Sequence, residues 1–331
     1  MKKKIINNPA DCVRECAEGF LAAFGDKYEK VPEVQGLKVR EPKDKVAFMI
    51  GGGSGHEPLF SFFLGENLAD VTVAGNIFAS PNPNSILKCA QSVERGRGIL
   101  MVYGNYAGDN LNFDMAADLM EEAGIKSRTV RVWDDIASAP KDRVDDRRGI
   151  AGDLFVVKIG GAVTGAGLSL DECYRVTAKA RDNLFSVGVA LSGGVIPGES
   201  KAAFELPEDE MEFGLGVHGE PGIRRVKMMS ANEIVDELLA LILKDSGITE
   251  GDEICTLING LGSTTLMELH IMNRRLAALL RERRIVVHDM EVNSYITCQE
   301  MAGASISLLK LDDEIKKYYD TPCDSPYFKK P

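Results

Sequence analysis

Two of the four histidines in this chain of 331 residues stand in glycine-flanked turns that run on into glutamate and proline. One turn is Gly51-Gly52-Gly53-Ser54-Gly55-His56-Glu57-Pro58. The other is Gly214-Leu215-Gly216-Val217-His218-Gly219-Glu220-Pro221-Gly222. Glycines remove the Cβ atoms that would keep a small ligand away from the backbone, and a histidine set among them can move a proton near neutral pH. Asp109 follows Gly108 at the end of an apolar run. A carboxylate and an imidazole at one opening can share the acid and base work on a hydroxyl proton, provided both lie within hydrogen-bond reach of it. The plainer readings are a helix N-cap for Asp109 and hydrogen-bonded turn residues for the two histidines. His270, inside a helical pattern, and His288, at the end of a strand pattern, take the structural reading.

Several chemistries are disfavoured by the same residues. No Lys-Ser/Thr pair follows the glycines at 51–55, so this is not a Walker loop, and the spacing does not fit the dinucleotide fingerprint. A self-contained nucleotide kinase is therefore not expected. There is no HExxH, EF-hand loop or close cluster of metal ligands, and Ser54 does not occupy a Gly-x-Ser-x-Gly elbow. A net charge of −11 argues against nucleic acid or an acidic membrane surface as the main partner, since both are polyanions. The basic opening at 1–9 leads into Asp11, Arg14 and Glu15 instead of a secretory apolar core, and no apolar stretch is long enough to span a bilayer. Seven cysteines without CxxC or zinc-finger spacing fit reduced thiols in a cytoplasmic protein.

The candidate residues need elements to hold them. An amphipathic helix over 11–24 and a turn-rich, charged connection through Pro42 precede a buried strand at 46–50, which ends in the His56 loop. Pro58 suits the first turn of a helix over 59–64, which would put His56 at a helix N-terminus, a place that favours an anion and disfavours imidazolium. Strands at 71–78 and 98–103 lead to Ser80 and to the Gly104–Asp109 stretch. Helices follow at 85–93 and 114–123, then a strand at 127–132, a loop at 134–148, a glycine-rich packed helix at 152–166 and a helix from the Ser169 capping pattern to about 183. The second half reads as strands at 186–191, 211–217, 253–258, 285–287 and 306–311, with helices at 233–244, 266–281 and 312–319. With 44% hydrophobic residues the chain can bury cores for two domains. We expect an α/β protein: an N-terminal domain, 1–184, with a largely parallel sheet flanked by helices, and a smaller C-terminal α/β (α+β) domain, 185–331. Ligands of such sheets gather outside the carboxyl ends of the strands, where His56, Ser80 and Asp109 all fall.

Together, the His56 loop, Ser80-Pro81, Asn105-Tyr106 with Gly108-Asp109, Asn112-Phe113, and Met211-Glu212-Phe213 through Pro221-Gly222 resemble the substrate-binding K subunit of the dihydroxyacetone kinase family. The opening Lys3-Lys4-Ile5-Ile6-Asn7 and the late Leu308-Leu309-Lys310-Leu311-Asp312-Asp313-Glu314 carry the resemblance essentially end to end. It implies a two-domain subunit, a cytoplasmic homodimer that binds no cofactor itself and holds a short ketose while a separate L subunit brings ATP or ADP with Mg. Whether ATP or a phosphotransferase-system protein supplies the phosphoryl group would be a property of that partner. By the same resemblance, His218 adds through a ring nitrogen to the ketone carbon as a covalent hemiaminal. His56 and Asp109 handle the proton of the terminal hydroxyl, and Gly53, Ser54, Gly55, Ser80 and Gly104 line the pocket. Phosphoryl transfer rests on positioning and electrostatics, so dividing substrate and nucleotide between subunits is chemically workable. Members specific for dihydroxyacetone read Lys-Asn-Tyr-Thr-Gly-Asp where this chain has Gly104-Asn105-Tyr106-Ala107-Gly108-Asp109, and threonine where it has Ala79. The altered pocket implies a four-carbon ketose such as erythrulose as an alternative to dihydroxyacetone. Similar chains also act as non-catalytic, ligand-sensing coactivators of a transcription regulator, a reading that the presence of His56 and Asp109 disfavours. A partner-independent isomerase or aldolase using His218 is a third reading.

Overall fold

The structure, a computed structural model, describes residues 3–331; Met1 and Lys2 of the basic opening lie outside it. Helix α1 (Cys12–Phe24) is followed by two short strands, β1 (Tyr28–Lys30) and β2 (Gly36–Val39), then β3 (Ala47–Ser54), β4 (Val71–Ile77), α2 (Pro83–Val93), β5 (Ile99–Gly104), α3 (Ala107–Glu122) and β6 (Ser127–Val132). These strands form one sheet in the order β1-β2-β4-β3-β5-β6. The pairs β4·β3, β3·β5 and β5·β6 are parallel, while β1 and β2 make an antiparallel edge. That edge falls in the stretch expected to be a charged connection. Three- and four-residue strands carrying Glu29, Lys30 and Lys38 are too short for a period of two to show in the sequence.

Helices α4 (Asp153–Gly165) and α5 (Leu170–Asp182) lead to the second sheet, which comprises β7 (Leu184–Ser192), β8 (Glu210–Phe213), β9 (Arg224–Lys227), β10 (Glu253–Gly260), β11 (Val286–Asn293) and β12 (Ala302–Lys310). Its order is β11-β10-β12-β7-β8-β9, and only β10·β11 is parallel. Helices α6 (Ala231–Ser246) and α7 (Leu266–Glu282) each open on a full capping box, Ser230 with Glu233 and Thr265 with Glu268. Each box satisfies two amide donors that the first helical turn leaves over, and losing such a cap costs about 1 kcal/mol. Helix α8 (Asp313–Tyr319) and a two-strand tail end the chain.

Two compact units result, and they are not separated by a single cut after residue 184. The first comprises Lys3–Val132, Phe155–Ala180 and Glu314–Pro331; the second comprises Trp133–Leu154 and Arg181–Asp313. The reason lies in polar contacts between segments distant in sequence. The Asp134 carboxylate accepts the N–H groups of Ile150 and Gly152 at 2.7 and 2.9 Å, and Ile136 N–H donates to the Ser186 carbonyl, which ties 133–154 to β7. The tail returns to the first unit because the buried Lys158 ammonium of α4 donates to the carbonyls of Tyr318 and Thr321, while Glu314 pairs with Arg175 and Lys179.

In the first unit Met49, Val71, Val73, Met101 and Tyr103 pack against Ile86, Cys89 and Val93 of α2 and Phe113, Ala116 and Met120 of α3. On the opposite face, α4 approaches so closely that a Cβ at Gly160 would lie 2.6 Å from the Phe48 ring. Burial on both faces is why β3 and β5 read as unbroken apolar runs. In the second unit Val187, Ile254, Ile258, Ile306 and Leu308 face Leu238, Leu239, Leu276 and Leu280 of α6 and α7. Among the described residues no helix is long and apolar enough to cross a membrane.

Two local expectations are corrected. The strand does not stop at Ile50: β3 runs through Gly51, Gly52 and Gly53 to Ser54, paired in parallel with β4. Residues 57–62 are successive turns and not a helix. Phe62 N–H donates to the Pro58 carbonyl, while the Ser61 carbonyl accepts the Thr72 hydroxyl and the Phe60 ring lies against Gly52. The segment uses its polar groups and side chains in contacts with β3 and β4 instead of a helical ladder.

Candidate functional site

The parallel neighbours β4, β3 and β5 point their carboxyl ends the same way, so the residues that follow them gather at one edge of the first unit. After β3, Gly55 adopts φ 99°, a conformation natural to glycine, and turns the chain so that His56 becomes buried at 3% exposure. The imidazole lies 5.0 Å from the Phe78 ring, tilted by 34°. With 57–62 non-helical, His56 does not stand at a helix N-terminus, and the electrostatic role expected from that position lapses. The Glu57 carboxylate folds back onto the Gly55 N–H at 3.0 and 3.1 Å. Burial pushes the Glu57 carboxyl above its ordinary value, with that backbone hydrogen bond opposing the shift.

Backbone contact joins the neighbouring turn to this loop. A Cβ at Gly53 would stand 2.9 Å from the Ala79 nitrogen, Ser54 Oγ donates to the Gly75 carbonyl at 2.7 Å, and Phe78 N–H donates to the Ser54 carbonyl at 2.9 Å. Ser80 then reaches α3, since a Cβ at Gly108 would lie 3.7 Å from the Ser80 Cβ. After Gly104, Asn105 accepts the Asn110 side-chain amide at 2.8 Å, which holds the turn to the helix. Helix α3 starts at Ala107, seven residues before the expected start, so Asp109 lies inside the first turn and Tyr106 takes the N-cap position without a side-chain cap bond. A carboxylate there is favoured by the helix dipole. Gly53, Ser54, Gly55, His56, Ser80, Gly104 and Asp109 thus belong to one set of adjoining strand ends.

His218 belongs to the second unit, in the turn that follows β8. Its Nδ1 lies 2.9 Å from Glu220 Oε1, and its backbone N–H donates to Glu220 Oε2 at 3.0 Å. Burial alone would raise the Glu220 carboxyl; the hydrogen bond and charge of His218 overcome it and bring the group down to about 2. At neutral pH Glu220 is therefore an acceptor only, so in the neutral ring Nδ1 is the nitrogen that bears the proton and Nε2 the one left with the in-plane lone pair. Such a ring, oriented by a carboxylate, can act as a nucleophile or base through Nε2. Both histidine loops share a device that sequence reading missed: the glutamate bonds the N–H two residues before it. The repeated Glu-Pro after each histidine was its visible trace.

The sign of the Glu220 shift makes a test. A carboxyl held below its ordinary 4.5 contributes stability above that pH and loses it as pH falls towards 2. Acid unfolding of wild type should therefore lose more stability between about pH 5 and pH 2 than Glu220→Gln does. Equal acid sensitivity of the two proteins in circular-dichroism titration would contradict the assigned hydrogen bond.

His288 lies 3.4 Å from Glu253, on the edge strand β11, and His270 is exposed on α7; neither joins the strand-end set. Among the described residues no group of three or more His, Cys, Asp or Glu side chains is arranged to hold a metal ion.

Residues 18–327 match the Dak1 domain family. The chain is 43% identical over 330 residues to the dihydroxyacetone-binding subunit of PTS-dependent dihydroxyacetone kinase 2 from Listeria innocua, covering 99% of both chains. It is 40% identical to an L-erythrulose kinase from Pectobacterium atrosepticum, covering 98% of this chain and 56% of that one. Among solved structures, the dihydroxyacetone kinase of C. freundii superposes with a TM-score of 0.91 at 30% identity, over 99% of this chain and 60% of that one. A dihydroxyacetone kinase operon co-activator superposes with a TM-score of 0.88 at 30% identity, over 93% and 96%. With a family match over most of its length and an end-to-end relative at this identity, the chain belongs to the Dak1 domain family.

Proposed function

We propose that this chain is the ketose-binding subunit of a short-ketose kinase, in which His218 captures the sugar covalently and His56 and Asp109 handle the proton of the hydroxyl to be phosphorylated. The His218–Glu220 hydrogen bond carries this reading, because a carboxylate acceptor beside Nδ1 favours the neutral tautomer that leaves the lone pair on Nε2. A bond forms between Nε2 and the ketone carbon, the carbonyl π bond breaks, and its electron pair goes to oxygen. That oxygen takes up a proton while the imidazole gives up its Nδ1 proton through Glu220, so the neutral hemiaminal keeps every atom of the sugar. Glycerol has no carbonyl carbon and is excluded. Ionisation of the terminal hydroxyl is left to His56 and Asp109, and in-line attack requires only that donor and acceptor be held in position. The nucleotide, ATP or ADP with Mg, resides on a separate L subunit, in keeping with the lack of any Walker motif. We assign the subunit to the cytoplasm, as a homodimer.

The substrate is dihydroxyacetone or a four-carbon ketose, and relatives bear both kinds of name. Gly104, Ala79 and Ala107 present little or no side chain around the strand ends, which favours the larger sugar. With a nucleotide-bearing partner subunit and a phosphoryl donor supplied, kcat/KM for erythrulose is expected to equal or exceed that for dihydroxyacetone. A clear preference for dihydroxyacetone would remove the four-carbon reading. Similarity to the co-activator supports a second reading, a ketose sensor. It predicts sugar binding with no phosphorylation of either ketose under the same conditions.

A further inference from the structure

We propose that Arg148, clamped by Asp135, is a positioning residue that holds the Glu220 carboxylate against His218 Nδ1 and so keeps the His218 ring oriented with its lone pair on Nε2. The proposal rests on the capture reading above for its functional consequence, but not for its structural one.

Arg148 reaches the His218 turn from the charged segment upstream of α4. Its Nε and Nη2 both donate to Asp135 Oδ2, at 3.1 and 2.8 Å, and Nη2 also donates to the Gly214 carbonyl at 3.2 Å. The remaining nitrogen, Nη1, stands 3.9 Å from Glu220 Oε2. The base of this arm is fixed. Asp135 is 1% exposed, its Oδ1 accepts the Ala137 N–H, its own N–H donates to the Arg148 carbonyl, and the Arg148 N–H donates to Ser138 Oγ. Oε2 of Glu220, which faces the guanidinium, also accepts the His218 N–H, so Oε1 is the oxygen presented to Nδ1.

Gly216 supplies an independent sign that this junction is tightly fitted. A Cβ there would stand 2.2 Å from Glu220 Oε2 and 2.7 Å from Arg148 Nη1. A side chain there displaces the carboxylate end of Glu220 and the guanidinium end of Arg148. Neutralising a buried aspartate would explain the Asp135 contacts alone. It does not explain the contacts to Gly214 and Glu220, which lie at the start and near the end of the turn that carries His218.

Three full-length variants test the proposal: Arg148→Gln, the Asp135→Asn/Arg148→Gln double variant, which avoids leaving a buried charge unpaired, and Gly216→Ala, which leaves the Asp135 pair untouched. Nitrogen-15 resonances of the His218 ring in the unliganded protein report its tautomer. Intact-mass titration with dihydroxyacetone reports the concentration that half-fills the adduct. The expected result is loss of the single Nδ1–H tautomer in all three, with half-filling shifted upward roughly 10- to 100-fold, the scale seen when the outer partner that orients a metal-ligating histidine is removed. A fourth variant, Arg148→Lys, should recover little of this, because an ammonium cannot reproduce the two-point grip on Asp135. A folded double variant with wild-type ring resonances and wild-type half-filling would overturn the proposal and leave Arg148 as a counter-ion to Asp135. If wild type forms no adduct while the variants still lose the tautomer, the capture reading falls and the positioning of the ring stands.

Discussion

Replacing His218 with alanine is expected to reduce ketose phosphorylation to background while the protein stays folded. The side chain is 24% exposed, in a turn outside the apolar core between the second sheet and α6 and α7, so its loss removes no core packing. On the proposed capture, what is lost is the bond that turns a diffusing sugar into a held reactant. Oriented attachment is worth effective molarities large enough that kcat/KM should fall by at least about three orders of magnitude. Steady-state kinetics with the nucleotide-bearing partner in excess would check this. Activity within tenfold of wild type would take the hemiaminal off the reaction path.

Asp109→Asn should separate capture from chemistry. Asparagine keeps the shape of the side chain and its place in the first turn of α3, but it cannot accept a proton. If Asp109 acts as the base for the terminal hydroxyl, kcat should fall by about 10²- to 10⁴-fold, the usual worth of general base catalysis. The yield of sugar adduct should stay near that of wild type, because Nε2 attack on the ketone carbon does not require this carboxylate. Adduct yield and turnover are measured on the same preparation. A parallel loss of both would make Asp109 a binding group instead of a base.

The strand ends that carry His56, Ser80 and Asp109 were legible because β3, β4 and β5 are apolar runs stopped by glycine, asparagine or serine, and parallel neighbours share one functional edge. The start of α3 was not. Gly108, Asn110 and Asn112 are poor helix formers, yet the packing of Phe113, Ala116 and Met120 against β3 and β5 carries the helix back through them to Ala107. The reverse error occurred at 59–64, where apolar spacing suited a helix but the polar groups serve β4 and the chain turns instead. Least visible were the groups around His218. Glu220 lay beside it in the sequence, whereas Arg148 and Asp135 sit in a charged stretch that reads as a solvated loop, and only folding brings them to the turn. The sheet edges β1, β2 and β9 were hidden by brevity and charge; three of the four residues of β9 are cations.

The most direct test of ketose capture is an intact-protein mass measurement under mild, borohydride-free conditions. Wild type and His218→Ala would each be incubated with dihydroxyacetone and with erythrulose. The account predicts that wild type gains the whole mass of the sugar, with no water lost, and that His218→Ala gains nothing. No His218-dependent gain with either sugar, or a dehydrated adduct that survives in His218→Ala, would contradict it.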